Sequence, residues 1–183
     1  MGYCGQYLNG ISSDCSGSVG GITELWISSH HNPLIYTIEE GVIKYIYDGT
    51  TEQQVGNFQQ YQFKKGQCSM TSTLNKDNTS GLHYVSTDIK VTFKKVDSAK
   101  RIEIEKLINA TDLVIIAKDG NGKYWLVGND YPCTVNSVNG NFGATKKDAN
   151  NFSVTFNCCT KEFPLETLDL PWTHGGRPRP PRG

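Results

Sequence analysis

The sequence predicts a mainly β protein: an antiparallel β-sandwich or small barrel with one flanking α-helix over about 97–109. Short β-branched and aromatic runs recur along the chain, separated by Gly, Asn, Pro and acidic residues. The 19 Gly and 9 Tyr, with abundant Ser, Thr and Asn, suit many strands joined by tight turns. Only one segment is dense in helix formers. A length of 183 residues fits one compact domain with chain left for tails. The expected division is an extended arm over 1–21, a sandwich domain over 22–160, and a C-terminal extension over 161–183 ending in a flexible Pro/Arg-rich tail.

Residues 1–21 are Gly/Ser-rich with scattered single apolar residues, which reads as an arm. The first strands are predicted at Ile22–Ile27, Leu34–Ile38 and Val42–Tyr47, and Glu39-Glu40-Gly41 is short enough to fold the second back on the third. A polar interval, Asp48 to Gly56, leads into a strand across Phe58–Phe63. After the Lys65-Gly66 turn a Thr/Ser-rich run ends near Leu74, and residues 75–81 have the composition of an exposed loop. Tyr84–Phe93 alternates: Ile89, Val91 and Phe93 share one face, with Asp88, Lys90, Thr92 and Lys94 on the other. That pattern predicts a half-buried antiparallel strand.

In the predicted helix, Asp97 or Ser98 supplies the N-cap oxygen, and Ala99, Ile102, Ile104, Leu107 and Ile108 form a broad apolar side. Arg101 and Glu105 stand one turn apart and can pair. A second hairpin follows: Leu113–Ala117 reads as a buried strand, Asp119-Gly120-Asn121-Gly122 as the turn and 123–128 as the return. The last predicted strands are Thr134–Val138 and Phe152–Cys158, the latter with Phe152, Val154 and Phe156 on one face.

Eighteen basic and eighteen acidic side chains cancel, which removes any whole-surface attraction for nucleic acid. The longest clean apolar run, Leu113–Ala117, falls far short of the ~18 residues of a membrane span. The opening Met1-Gly2-Tyr3-Cys4 has neither the charge nor the apolar stretch of a signal peptide, so a soluble, cytosol-made chain is expected. In that compartment the six cysteines are expected as free thiols, although Cys4 and Cys15 bracket a flexible segment and can be joined after lysis. No CxxC pair points to zinc, and Cys158-Cys159 would face opposite sides of a strand.

No residue set selects a catalytic role. His30-His31 sits in a predicted turn without an identifiable nucleophile or carboxylate partner. Asp119-Gly120-Asn121-Gly122-Lys123 superficially matches a calcium or phosphate loop but lacks the spacing of either, and a hairpin turn explains it better. Trp26 and Trp125 lie in strand runs where core burial is the commoner fate, while Trp172 stands at the tail junction. The expectation is a non-enzyme with no metal and no cofactor. The tail carries Arg177, Arg179 and Arg182 among prolines, candidates for phosphate contact or groove docking.

The string Asp14–Ile22, then Tyr61-Gln62-Phe63-Lys64-Lys65, Ile89–Lys95, the helical Ala99–Ile104, the hairpin Val114–Gly128 and the closing Asn151–Phe156 resembles the structural tail proteins of phages infecting Bacteroidetes. The resemblance spans roughly residues 14–160, is strongest around 99–128, and does not extend to the proline-arginine extension. It implies a tail-tube-like fold with six copies per ring, and rings stacked into a hollow tube through which DNA passes. Implied partners are further copies of the chain, other virion proteins and, transiently, DNA in the lumen, with no membrane insertion. The implied location is the virion, assembled in the host bacterial cytoplasm. On this reading the polar interval, taken from Asp48 to Gln60 and too polar to be core, is an assembly arm, with Asp48, Thr50, Glu52, Gln53, Gln54, Val55 and Gln60 as contact candidates, ordered when another subunit supplies contacts. Alternatives are a head, neck or auxiliary virion protein, a monomeric carbohydrate-binding sandwich with exposed Tyr and Trp, or a small hydrolase using His30 or His31.

Overall fold

The computed structural model describes residues 18–29, 34–48, 58–95, 97–145, 148 and 150–168. Strands β1 (Ile22–Ser29), β2 (Leu34–Glu39), β3 (Val42–Asp48), β4 (Gln59–Gln62), β5 (Cys68–Lys76) and β6 (His83–Lys94) precede the helix α1 (Ser98–Asn109). Strands β7 (Leu113–Asp119), β8 (Tyr124–Val127), β9 (Thr134–Asn141), β10 (Asn151–Thr160) and β11 (Leu165–Thr167) follow it. They form a seven-stranded sheet, ordered β2-β3-β11-β8-β7-β1-β4, and a four-stranded sheet, β5-β6-β10-β9. Among the described strands neither sheet closes, so of the two expected architectures the chain adopts the sandwich. Among the described strands every pairing is antiparallel except the short parallel contact of β11 with β3.

The alternation expected in β6 holds: Ile89 and Val91 are buried and Lys90 and Lys94 exposed. With Val154, Phe156 and Cys158 of β10 they face Leu25 and Ile27 of β1 and Leu113, Ile115 and Ala117 of β7 across the sandwich. The other face of the small sheet is polar, its register neighbours including Thr71, Asp88 and Asn157. The large sheet differs, for its outer face carries a second apolar cluster of Trp26, Ile43, Ile46, Phe58, Val114, Ile116 and Leu126. This two-sided burial is why Leu113–Ala117 is apolar at every position.

Asp97 caps the helix, its side chain accepting from the Lys100 amide at 2.8 Å, and Arg101 pairs with Glu105. The broad apolar side does not form: only Ile104 and Leu107 are buried, while Ile102 and Ile108 are 46% and 48% exposed. At 3.6 residues per turn, Lys100 and Glu103 share the sandwich-facing stripe with Ile104 and Leu107, leaving Ile102 opposite and Ile108 on the flank. The Tyr61 hydroxyl donates to Glu103 at 2.8 Å and satisfies the acid on that stripe.

Two further features depart from the sequence reading. Cys133 and Cys158 are joined in a disulfide, not free, whereas Cys68 is a buried thiol and Cys159 an exposed one. The cause is placement: Cys133 pairs with Leu113 at the end of β7, and β10 turns Cys158 inward, bringing the two Cα atoms to 4.4 Å. The bond thereby ties the two sheets together at one end. Residues 165–167, assigned above to the C-terminal extension, form β11 between β3 and β8, with Thr167 buried.

Candidate assembly surface

Edges are where a sheet protein meets others, because their outward N–H and C=O groups lack a ladder partner. Among the described strands the four edges differ in character. Strand β4 has four residues, three of them exposed Gln. Strand β9 reads TVNSVNGN and is polar, while β5 alternates Ser and Thr with occasional apolar residues. Strand β2 reads LIYTIE, apolar at four of its six positions and without the Lys or Pro that commonly blunts an edge.

The β2–β3 hairpin is built by its turn. Glu39 pairs with Val42, so Glu40 and Gly41 form a two-residue loop with φ of 53° and 79°. Positive φ at both positions matches the right-handed twist of the strands, although the β-carbon of Glu40 makes its share costly. Tyr36, Ile43 and Ile46 turn toward the second apolar cluster. The opposite face exposes Ile35 and Tyr45, at 44% and 46%, and Ile38 is 46% exposed at the edge. Sequence reasoning missed these three as surface residues, because an uninterrupted apolar run reads equally as a buried strand.

The arm residues are only partly placed. Asp48 ends β3 opposite Leu34, and Gln60 lies in β4 opposite Trp26, five strand positions away, so the sheet does not bring them together. Thr50, Glu52, Gln53, Gln54 and Val55 lie outside the described residues, as do His30, His31, Trp172, Arg177, Arg179, Arg182, Cys4 and Cys15. Phe58, inside the interval taken as too polar for core, is 1% exposed and packs in the second cluster. One large aromatic ring outweighs the polar composition around it. Next to it, Gln60 donates to Glu24 at 3.0 Å, and Glu24 also pairs with Lys118 at 3.4 Å, lashing β4 and β7 to β1. The Glu24 charge is the main cause of a raised Lys118 pKa.

The Asp119 turn is structural. One carboxylate oxygen accepts from the Asn121 and Lys123 amides at 2.8 and 3.0 Å, and the other from Trp125 Nε1 at 3.0 Å. Burial works to raise this carboxyl's pKa, but those hydrogen bonds and the nearby Lys123 charge bring it below the usual range. With its oxygens committed to the turn, Asp119 serves the hairpin as the sequence indicated. Trp26 is buried and Trp125 half-buried. Among the described residues no three His, Cys, Asp or Glu side chains gather as metal ligands, and no helix is long and apolar enough to cross a membrane. Comparison with family models, with curated proteins and with solved structures finds no match to this chain.

Proposed function

We propose that this chain is a structural subunit that works by self-association, a virion protein of the tail-tube type whose copies close into rings and stack. The observation that carries the reading is the apolar, unblunted edge strand β2 with Ile35, Ile38 and Tyr45 exposed around it. A second strand laid along β2 satisfies its outward backbone groups and covers these side chains. The far edge of the same sheet is β4, so β2 of one copy against β4 of the next is a heterologous contact, the kind that closes into a ring. Stacking is assigned to the arm between them, Thr50 to Val55, which lies between the two ring-forming strands in the chain. Arg177, Arg179 and Arg182 are assigned to phosphate or virion-protein contacts, and the lumen to passing DNA. The resemblance to phage tail proteins supports the same reading from sequence.

The test is an edge charge. Ile35→Lys with Ile38→Lys places two cations on the strand that must pair, a device that blocks edge-to-edge addition. The expected outcome is an unchanged circular dichroism spectrum with loss of higher assemblies in sedimentation velocity, while Gly-Ser in place of Thr50–Val55 keeps rings and loses stacks. Assembly of the double-lysine variant identical to the parent's excludes β2 as the contact.

A further inference from the structure

A cleft of about 520 Å³ opens at the end of the sandwich where the disulfide lies, within the size range of small-molecule sites. It is lined from three directions: His83 and Tyr84 at the start of β6, Tyr131, Pro132 and Thr134 before and within β9, and Asn157, Cys159, Thr160 and Lys161 at and just after the end of β10. Two tyrosine rings stand in the open there, Tyr84 at 37% and Tyr131 at 57% exposure. Among the described residues, the side chains of His83, Tyr84, Tyr131, Thr134 and Lys161 make no hydrogen bond or ion pair. Among the described residues the lining holds an amine and an imidazole but no carboxylate.

The platform is rigid where it matters. Cys133, two residues after Tyr131, exchanges both backbone hydrogen bonds with Leu113 at 2.8 and 3.2 Å and is bonded to Cys158. Gly128 turns the chain into this loop with φ +90°, and a β-carbon there would come within 2.8 Å of the Leu113 carbonyl oxygen. On the facing side, buried Thr160 donates to the Glu162 carbonyl at 2.8 Å and fixes the turn that presents Lys161. An exposed aromatic held by a disulfide-pinned loop loses little freedom when a flat ligand stacks on it.

We infer that this cleft binds an acidic sugar residue of a glycan, with Tyr131 and Tyr84 stacking on the pyranose face and Lys161 pairing with the carboxylate. Tyrosine suits this ligand because its ring covers the C–H face of the sugar while its hydroxyl meets the sugar hydroxyls. His83 and Thr134 supply further polar contacts, and a lining without acids leaves the sugar carboxylate unopposed. The site goes beyond the assembly reading and does not depend on it, since it lies on the other sheet from β2 and β4 for most of its lining.

The experiment is saturation-transfer NMR with methyl β-D-glucuronide and methyl β-D-glucoside, which reads binding to monomers and to large assemblies alike. The glucuronide is expected to bind about tenfold more tightly than the glucoside, because only it offers Lys161 an anion. Lys161→Gln is expected to remove that preference, Tyr131→Ala to abolish binding of both sugars, and Tyr131→Phe to restore stacking. Bound glucuronide is also expected to slow alkylation of Cys159 inside the cleft. Absence of binding, equal binding of the two sugars, or glucuronide binding that survives Tyr131→Ala overturns the proposal. Tyr131 and Lys161 are exposed, so an unchanged thermal melt confirms that each variant is folded.

Discussion

Replacing Cys133 and Cys158 together by Ala removes the one covalent tie between the two sheets among the described residues. The bond spans a sequence separation of 25, and closing a loop of that length in the unfolded chain contributes about 3.5 kcal/mol. Both sulfurs lie in the first apolar cluster at residues 0% and 1% exposed, and losing their packing adds on the order of 1 kcal/mol. The variant is therefore expected to lose about 4–5 kcal/mol, a large part of the ~5–15 kcal/mol typical of a domain. Urea unfolding followed by far-ultraviolet circular dichroism measures it. The midpoint should fall and the slope rise, because the unfolded variant is freer to expand. Peptide mapping of the non-reduced parent should recover the fragments containing positions 133 and 158 as one linked species. A variant within about 1 kcal/mol of its parent refutes the assignment of the bond as a stabilising tie.

Leu107→Asp should destabilise by several kcal/mol by placing an unpaired charge beneath the helix, whereas Ile102→Lys on the exposed side should stay within about 0.5 kcal/mol in the same unfolding assay. Burial pushes the Cys68 thiol up to about 12, so iodoacetamide at neutral pH should label exposed Cys159 within minutes and Cys68 only after unfolding, as read by mass spectrometry. Because the Asp119 carboxyl titrates lower folded than unfolded, its stabilisation is complete above about pH 4 and disappears as pH falls through the folded value. Acid unfolding of Asp119→Asn should lack that limb, and identical acid profiles for variant and parent contradict the role given to the turn.

Local signals carried much of this fold. Alternation placed Ile89 and Val91 inward, the Asp119–Gly122 turn located the β7–β8 hairpin, and the run of helix formers located α1 to within a residue. What escaped depends on partners distant in sequence. Strand β11 has three residues and no alternation to read; its identity comes from pairing with Tyr124–Leu126 and Ile43. The disulfide needs β7, β9 and β10 assembled before its two cysteines meet, so neither spacing nor compartment reveals it. The helix offered five apolar residues and the sandwich took two, because at 3.6 residues per turn Ile102 and Ile108 fall outside the stripe that Ile104 and Leu107 present to it. Of the candidate site, the edge that carries the assembly reading was not visible in the sequence, and the polar arm inferred from composition lies for Thr50–Val55 outside the described residues. An apolar run such as Leu34–Ile38 is the same string whether a neighbouring strand covers it or none does.

The central claim is that copies of this chain close into rings, and the mass of the particle in solution tests it most directly. Multi-angle light scattering across a concentration series should show a species near six times the 20.3 kDa chain mass, with larger stacked species as concentration rises, and rings in the same fractions by negative-stain microscopy. A single monomeric mass at every concentration, with no ring in any field, contradicts it.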